Sequence, residues 1–300
     1  MRLADHARYR IGGPTPGLGH ALDRAELAGA LAGLAGAPYR VLGRGANLLI
    51  SDLGVSERVL VLAGEFDFLR AEAEHIEAGA GAGLPALVGE ARRGGFSGWS
   101  FLEAVPGSVG GGLRMNAGSA ETGLWDRVEW AEVMTPGGET IRMTAVEARP
   151  SYRAVGVPES SIFVGARFAV TPGDAVAIER EHFDRRRTKV ETQVYDLPSC
   201  GSIWKNPDGP WAGAWQLVDE VGMRGARRGD AQITERHANF IANLGAAKAG
   251  DVWWLMAETR RRVREQTGVL LSPEIRLWGF TDEELAAVGA PTETTEEGRR

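Results

Sequence analysis

The chain has 300 residues, 43% hydrophobic and 25% charged, which is room for one large or two to three small domains and excludes a staple-dependent miniprotein and disorder throughout. A formal net charge of −6 argues against a general nucleic-acid or membrane-surface binder, since either needs a basic footprint. The single cysteine, Cys200, rules out an intrachain disulfide and a multi-cysteine zinc site. Residues 1–13 lack the apolar run of a signal peptide, and no stretch reaches the roughly 18 apolar residues of a membrane span, so a soluble cytoplasmic protein is expected.

Short β-type runs recur at 39–42, 48–51, 59–62, 75–78, 128–134, 139–143 and 162–170, most of them broken by Gly, Asn or Asp. Two helices punctuate them, at 84–93 and at 174–187; the second opens after Pro172-Gly173, and Asp184-Arg185-Arg186-Arg187 reads as its solvated C-terminal end. The longest helical signal begins at Asp251, read as the N-cap, and puts Val252, Leu255, Met256, Thr259 and Val263 on one face before Gly268. Residues 270–277 read as a strand, and 281–300 as a short helical pattern running into a frayed acidic tail. This is a mixed α+β pattern with weak seams near 53–58 and 189–199.

Glycine makes up 41 of the 300 residues, about twice the usual share, and it clusters after strand-like runs. The clusters are Gly43-Arg44-Gly45-Ala46-Asn47-Leu48, Gly79-Ala80-Gly81-Ala82-Gly83 and Pro106-Gly107-Ser108-Val109-Gly110-Gly111, the last leading to Asn116-Ala117-Gly118. None has the spacing of a dinucleotide fingerprint or a P-loop. One such cluster can simply make tight turns. Three together favour a large diphosphate-containing cofactor, because glycine lets backbone N–H groups converge on an anion.

The segment Ser199-Cys200-Gly201-Ser202-Ile203-Trp204-Lys205-Asn206 offers hydroxyls, a cation and an amide to one ligand. No nucleophile elbow surrounds Ser202, so the serine reads as a proton donor rather than an attacking group. Cys200 and Trp253-Trp254 read as packing residues, and His237 as a structural histidine ahead of a ligand-positioning one; the five histidines show no metal-ligand spacing, and no metal is expected.

Taken in chain order, these motifs resemble the UDP-N-acetylenolpyruvoylglucosamine reductase family, flavoenzymes that complete UDP-N-acetylmuramate for bacterial peptidoglycan. The resemblance runs from Arg10-Ile11-Gly12-Gly13 through the glycine loops, Tyr152-Arg153, Gly201-Ser202-Ile203-Trp204-Lys205-Asn206-Pro207 and His237-Ala238-Asn239-Phe240-Ile241 to Pro273-Glu274. It implies non-covalent FAD, NADPH as hydride source, and a vanillyl-alcohol-oxidase-type fold. The implied domains are FAD-binding subdomains at 1–55 and 56–190, the latter joined by 269–280, and an α+β substrate domain at 191–268. Arg153, Ser202 and Glu274 fall on the family's catalytic positions. Gly43 to Leu48, Pro106 to Gly111 and Asn116 to Gly118 fall on its flavin-contacting segments, and Tyr152, Lys205 and Asn206 on its substrate-contacting ones. Ala46 stands where a serine is usual and Trp204 where phenylalanine is common, and the short interval from Arg153 to Gly201 matches a compact variant. The alternatives are another flavoprotein of this fold or a non-enzymatic nucleotide-sugar binder.

Overall fold

The computed structural model describes residues 1–119 and 121–292; the end of the expected tail, from 293, lies outside the described residues. The chain forms two compact units, one from Gly17–Arg44 and Glu57–Lys189, the other from Met1–Pro16, Gly45–Ser56 and the chain from Val190 onward. This differs from the division expected from the sequence, in which residues 1–55 stay together. The reason is strand pairing: Leu18–Ala21 and Tyr39–Val41 both pair in parallel with Arg58–Leu62, which draws 17–44 into the unit built by 57–189.

In that first unit the helix Arg24–Leu34 connects two strands of the parallel three-stranded sheet. Asp23 caps it by accepting the Glu26 N–H at 2.8 Å, and Leu27 and Leu31 are its buried residues. A five-stranded antiparallel sheet follows, in the order Leu69–Ala71, His75–Gly79, Ile162–Ala169, Val128–Met134, Thr140–Met143. Its middle strand is apolar along most of its length, as a strand covered on both faces must be. The core between this sheet and the helices Leu84–Arg93 and Val109–Arg114 holds two edge-to-face aromatic pairs, Trp99 with Phe168 and Trp125 with Phe163, at centroid separations of 5.8 and 6.0 Å. The last helix of this unit runs Ala175–Thr192, five residues beyond the expected end. The charged Asp184–Arg187 stretch is therefore internal, with Asp184 paired to Arg187 and Arg186 to Glu103.

The second unit is centred on the helix Ala249–Thr267, which buries Val252, Leu255, Met256, Thr259 and Val263 as their spacing predicts. Asp251 is not the N-cap. It lies in the first turn, where its carboxylate accepts the Lys248 N–H at 3.2 Å, because the helix begins two residues earlier. Around it pack the helix Ala214–Glu220, the antiparallel strands Arg227–Arg228, Ala231–Ile233 and Ile241–Asn243, and the buried Tyr9 and Ile11 of the N-terminal segment. Gly13 lies so close to the Asp52 carbonyl that a Cβ there would overlap it.

The expected strand at 270–277 is regular only over Arg276–Trp278, which pairs in parallel with Leu48–Ile50. Pro273 has no N–H to extend a ladder. The partner strand thus lies in the expected 1–55 segment and not in 56–190. No helix among the described residues is long and apolar enough to cross a membrane.

Asp52 accepts the Ala249 and Gly250 N–H groups at 3.0 and 3.2 Å, capping the central helix from a distant part of the sequence. Asp52→Ala should lower the unfolding free energy by about 1 kcal/mol in urea titration, the usual loss for a helix cap.

Candidate active site

In the first unit the glycine clusters are laced together. Leu84 N–H donates to the Gly107 carbonyl at 2.9 Å, Val109 N–H to Ala82 at 2.8 Å and Gly110 N–H to Ala80 at 2.8 Å. Gly43 meets the same place, since a Cβ there would overlap Ser108 Oγ, and a Cβ at Gly110 would sit 3.0 Å from that of Ala80. Ser108 is buried and its Oγ accepts the Gly111 N–H at 3.3 Å. Among the described residues the N–H groups of Gly43 and Arg44 donate to no protein acceptor. A side-chain-free surface carrying spare N–H donors is what a diphosphate requires, so these residues fit FAD.

Further along the same unit lies a knot around Arg153. The guanidinium donates to the Gly118 carbonyl at 2.8 Å and lies 4.8 Å from the centroid of the Tyr152 ring. Asn116 accepts the Trp125 N–H at 3.1 Å and donates to the Ser151 carbonyl at 3.1 Å, which ties 116–118 to 151–153. Both Asn116 and Arg153 hold left-handed backbone, with φ of 41° and 56°. That conformation is costly for residues other than glycine and clusters at functional sites.

Lys189, which the sequence reading did not select, also belongs to this unit. Its Nζ donates to the Glu103 carbonyl at 2.7 Å, while the Glu103 carboxylate holds the buried His182 at 2.8 Å. Burial lowers the Lys189 pKa from its ordinary 10.5 to about 8, Arg185 and Arg153 push the same way, and Glu103 opposes them. The available signal was its rarity, as one of three lysines in the chain.

In the second unit the serine segment is bonded along both edges. On one side Ser202 bridges Phe240, and Ile203 N–H donates to the Asn239 carbonyl at 2.9 Å. On the other, Glu274 N–H donates to the Ile203 carbonyl at 2.8 Å and Lys205 N–H to Ser272 at 2.9 Å. Ser202 and Glu274 thus lie on adjacent segments, both partly exposed. Asn47 joins them: its Nδ2 donates to the Glu274 carbonyl at 3.1 Å and its own carbonyl accepts the Arg276 N–H at 3.0 Å. Gly45, at φ 57°, accepts from Arg8 N–H at 3.0 Å, and a Cβ there would strike the His6 carbonyl and Ala7. Ala46 is partly exposed, and Leu48 is buried at the start of its strand.

Asn206 is committed in part to the fold, since its Oδ1 accepts the Ala214 N–H at 3.1 Å. His237 is held down to a pKa of about 4 by burial and by Arg224, so it is neutral at physiological pH. Its Nδ1 accepts the Asn239 N–H at 3.2 Å, which leaves the proton on Nε2. Cys200 is buried, and burial pushes its thiol well up, as suits a packing residue.

A family model described as "FAD binding domain" matches residues 23–144, and one described as "UDP-N-acetylenolpyruvoylglucosamine reductase, C-terminal domain" matches 193–278. The chain is 40% identical over 283 residues to UDP-N-acetylenolpyruvoylglucosamine reductase 2 of Symbiobacterium thermophilum, covering 92% of this chain and 90% of that one. It is 39% identical over 274 residues to the reductase of Acidiphilium cryptum, with coverages of 91% and 88%. The crystal structure of UDP-N-acetylenolpyruvylglucosamine reductase from Thermus caldophilus matches with a TM-score of 0.81 at 37% identity, covering 93% of this chain and 97% of that one. An FAD-binding domain in an α+β fold, with glycine loops shaped for a diphosphate, defines a flavin-dependent oxidoreductase. Within that class, the chain belongs to the UDP-N-acetylenolpyruvoylglucosamine reductase family.

The buried Lys189 has a pH signature. Between pH 8 and 10.5 the unfolded chain keeps a proton that the folded chain has released, so this residue's burial costs stability at and below pH 8 and the cost is relieved as pH rises. The stability difference between the parent and Lys189→Met, followed by urea titration, should shift in the parent's favour by roughly 1–2 kcal/mol over that window.

Proposed function

We propose that this chain reduces the enolpyruvyl group of UDP-N-acetylglucosamine enolpyruvate to UDP-N-acetylmuramate, with NADPH as the hydride source, in peptidoglycan precursor synthesis. The observation that carries this is the hydrogen-bonded succession from Asn47 through Glu274 to the Ser202 segment. Through backbone groups it ties a cofactor-loop residue to the segments that carry the Glu274 carboxyl and the Ser202 hydroxyl. Gly43, Arg44, Gly45, Ala46, Asn47 and Leu48, the 106–111 loop and Asn116, Ala117 and Gly118 would hold the flavin. Tyr152, Lys205 and Asn206 would contact the nucleotide sugar. The reaction is assigned to the cytoplasm, where nucleotide sugars and NADPH are made.

Bound there, FAD would supply hydride-transfer chemistry between NADPH and the enolpyruvyl double bond, at the carbon β to the substrate carboxylate. The protein's task is the charge that then builds on the α-carbon and spreads into the carboxylate. Arg153 is always cationic and acts as the clamp for that charge. Its guanidinium is oriented by Gly118 and Tyr152. Ser202 holds the proton that closes the reaction at the α-carbon. A hydroxyl is a weak acid, so the alkoxide left behind needs a cation, which Lys205 on the same segment can supply. Glu274 assists when protonated or through a bridging donor, because a bare carboxylate would repel the developing charge.

Ser202→Ala separates the two half-reactions. NADPH should still bleach the flavin at close to the parent rate, while reoxidation by the enolpyruvyl nucleotide slows by about 10² to 10⁴. Equal losses in both halves, measured by anaerobic stopped-flow absorbance, would remove Ser202 from the proton-donor role.

A further inference from the structure

Asn239 makes an unusual use of its side chain. It is 3% exposed, and its carboxamide grips both polar groups of one distant residue: Trp204 N–H donates to Asn239 Oδ1 at 2.8 Å, and Asn239 Nδ2 donates to the Trp204 carbonyl at 2.8 Å. Among the described residues Trp204 makes no other backbone hydrogen bond. The amide therefore stands in for a strand at the point where the backbone ladder gives out. Among the described residues Ser202 has only its isolated bridge to Phe240 on that edge, and Gly201 before it turns with φ 84°.

The same residue fixes the neighbouring bonds. Its carbonyl accepts the Ile203 N–H at 2.9 Å, and its N–H is held by the neutral His237 ring. Ile203 in turn receives the Glu274 N–H at 2.8 Å. A shift of the 203–204 backbone would therefore be shared by the segments that carry Ser202 and Glu274.

We propose that Asn239 is a positioning residue for proton delivery, setting the backbone from which the Ser202 hydroxyl acts. The proposal rests on the reading of Ser202 as proton donor. Misplacement by about 1 Å costs on the order of 10² in rate, which sets the expected effect.

The test uses flavin-loaded enzyme carrying Asn239→Ala, alone and combined with Ser202→Ala. Bleaching by NADPH should stay within about threefold of the parent, and reoxidation by the enolpyruvyl nucleotide should slow on the order of 10² through kcat rather than KM. In the Ser202→Ala background the added loss should shrink to about threefold or less, since no hydroxyl remains to be positioned. Comparable slowing of both half-reactions, or a full Asn239 penalty persisting without Ser202, would overturn the proposal. Normal reoxidation in Ser202→Ala alone is a separate signature, which overturns the donor role and this proposal with it.

If Asn239→Ala does not fold, Asn239→Asp keeps the acceptor for Trp204 N–H and, when ionised, replaces the donor with a negatively charged oxygen facing the Trp204 carbonyl. Its reoxidation rate relative to the parent should recover as pH falls, when the protonated carboxyl again donates to the Trp204 carbonyl. A pH-independent deficit in that variant would count equally against the assignment.

Discussion

The backbone of residues 203–205 is bonded on one edge to Asn239 and on the other to Ser272 and Glu274, and much of the second unit is organised by that arrangement. The segment forms no regular strand, so its geometry is set by individual bonds rather than by a repeating ladder. That brings the segment carrying Ser202 and Lys205 beside the segment carrying Glu274, from a distant part of the sequence. It also concentrates the consequences of losing one bond. A regular sheet distributes such a loss among many equivalent hydrogen bonds, whereas this segment is held by a few individual ones.

Asparagine supplies much of this wiring. Asn47 holds the Glu274 backbone, Asn116 joins the 116–118 turn to Ser151 and Trp125, Asn206 caps the helix Ala214–Glu220, and Asn239 clasps Trp204. A carboxamide donates and accepts in one plane, which matches a peptide group. Three of these residues read from sequence as ligand groups, and in the structure their amides are engaged with the protein's own backbone. Their contribution to the site is at least partly the placement of neighbours. Glycine does the complementary work at Gly43 and Gly110, where an added Cβ would meet Ser108 or Ala80.

Legibility in the sequence followed the length and regularity of each pattern. The helix Ala249–Thr267 buries the face its periodicity predicts, and the strand Val128–Met134 has the expected bounds. The helix Arg24–Leu34 escaped because Gly29 and Gly33 dilute its propensity, although Asp23 and Glu26 carried a capping signal. The unit boundaries were hidden because parallel pairing of 18–21 and 39–41 with 58–62 is non-local. The glycine loops could be read from composition and the polar segment from residue type, while their joint meaning came from motif order. Lys189 was missed because its setting depends on the Glu103 carbonyl and on a helix longer than its charge pattern suggested.

The pairing of Leu48–Ile50 with Arg276–Trp278 has a consequence for biosynthesis. A strand of three buried aliphatic residues leaves the ribosome more than two hundred residues ahead of its partner. At bacterial elongation rates that wait is roughly ten to fifty seconds. Throughout it the nascent polypeptide carries an open, sticky edge, and premature termination anywhere before codon 276 would leave that edge permanently bare for chaperones or proteases to capture.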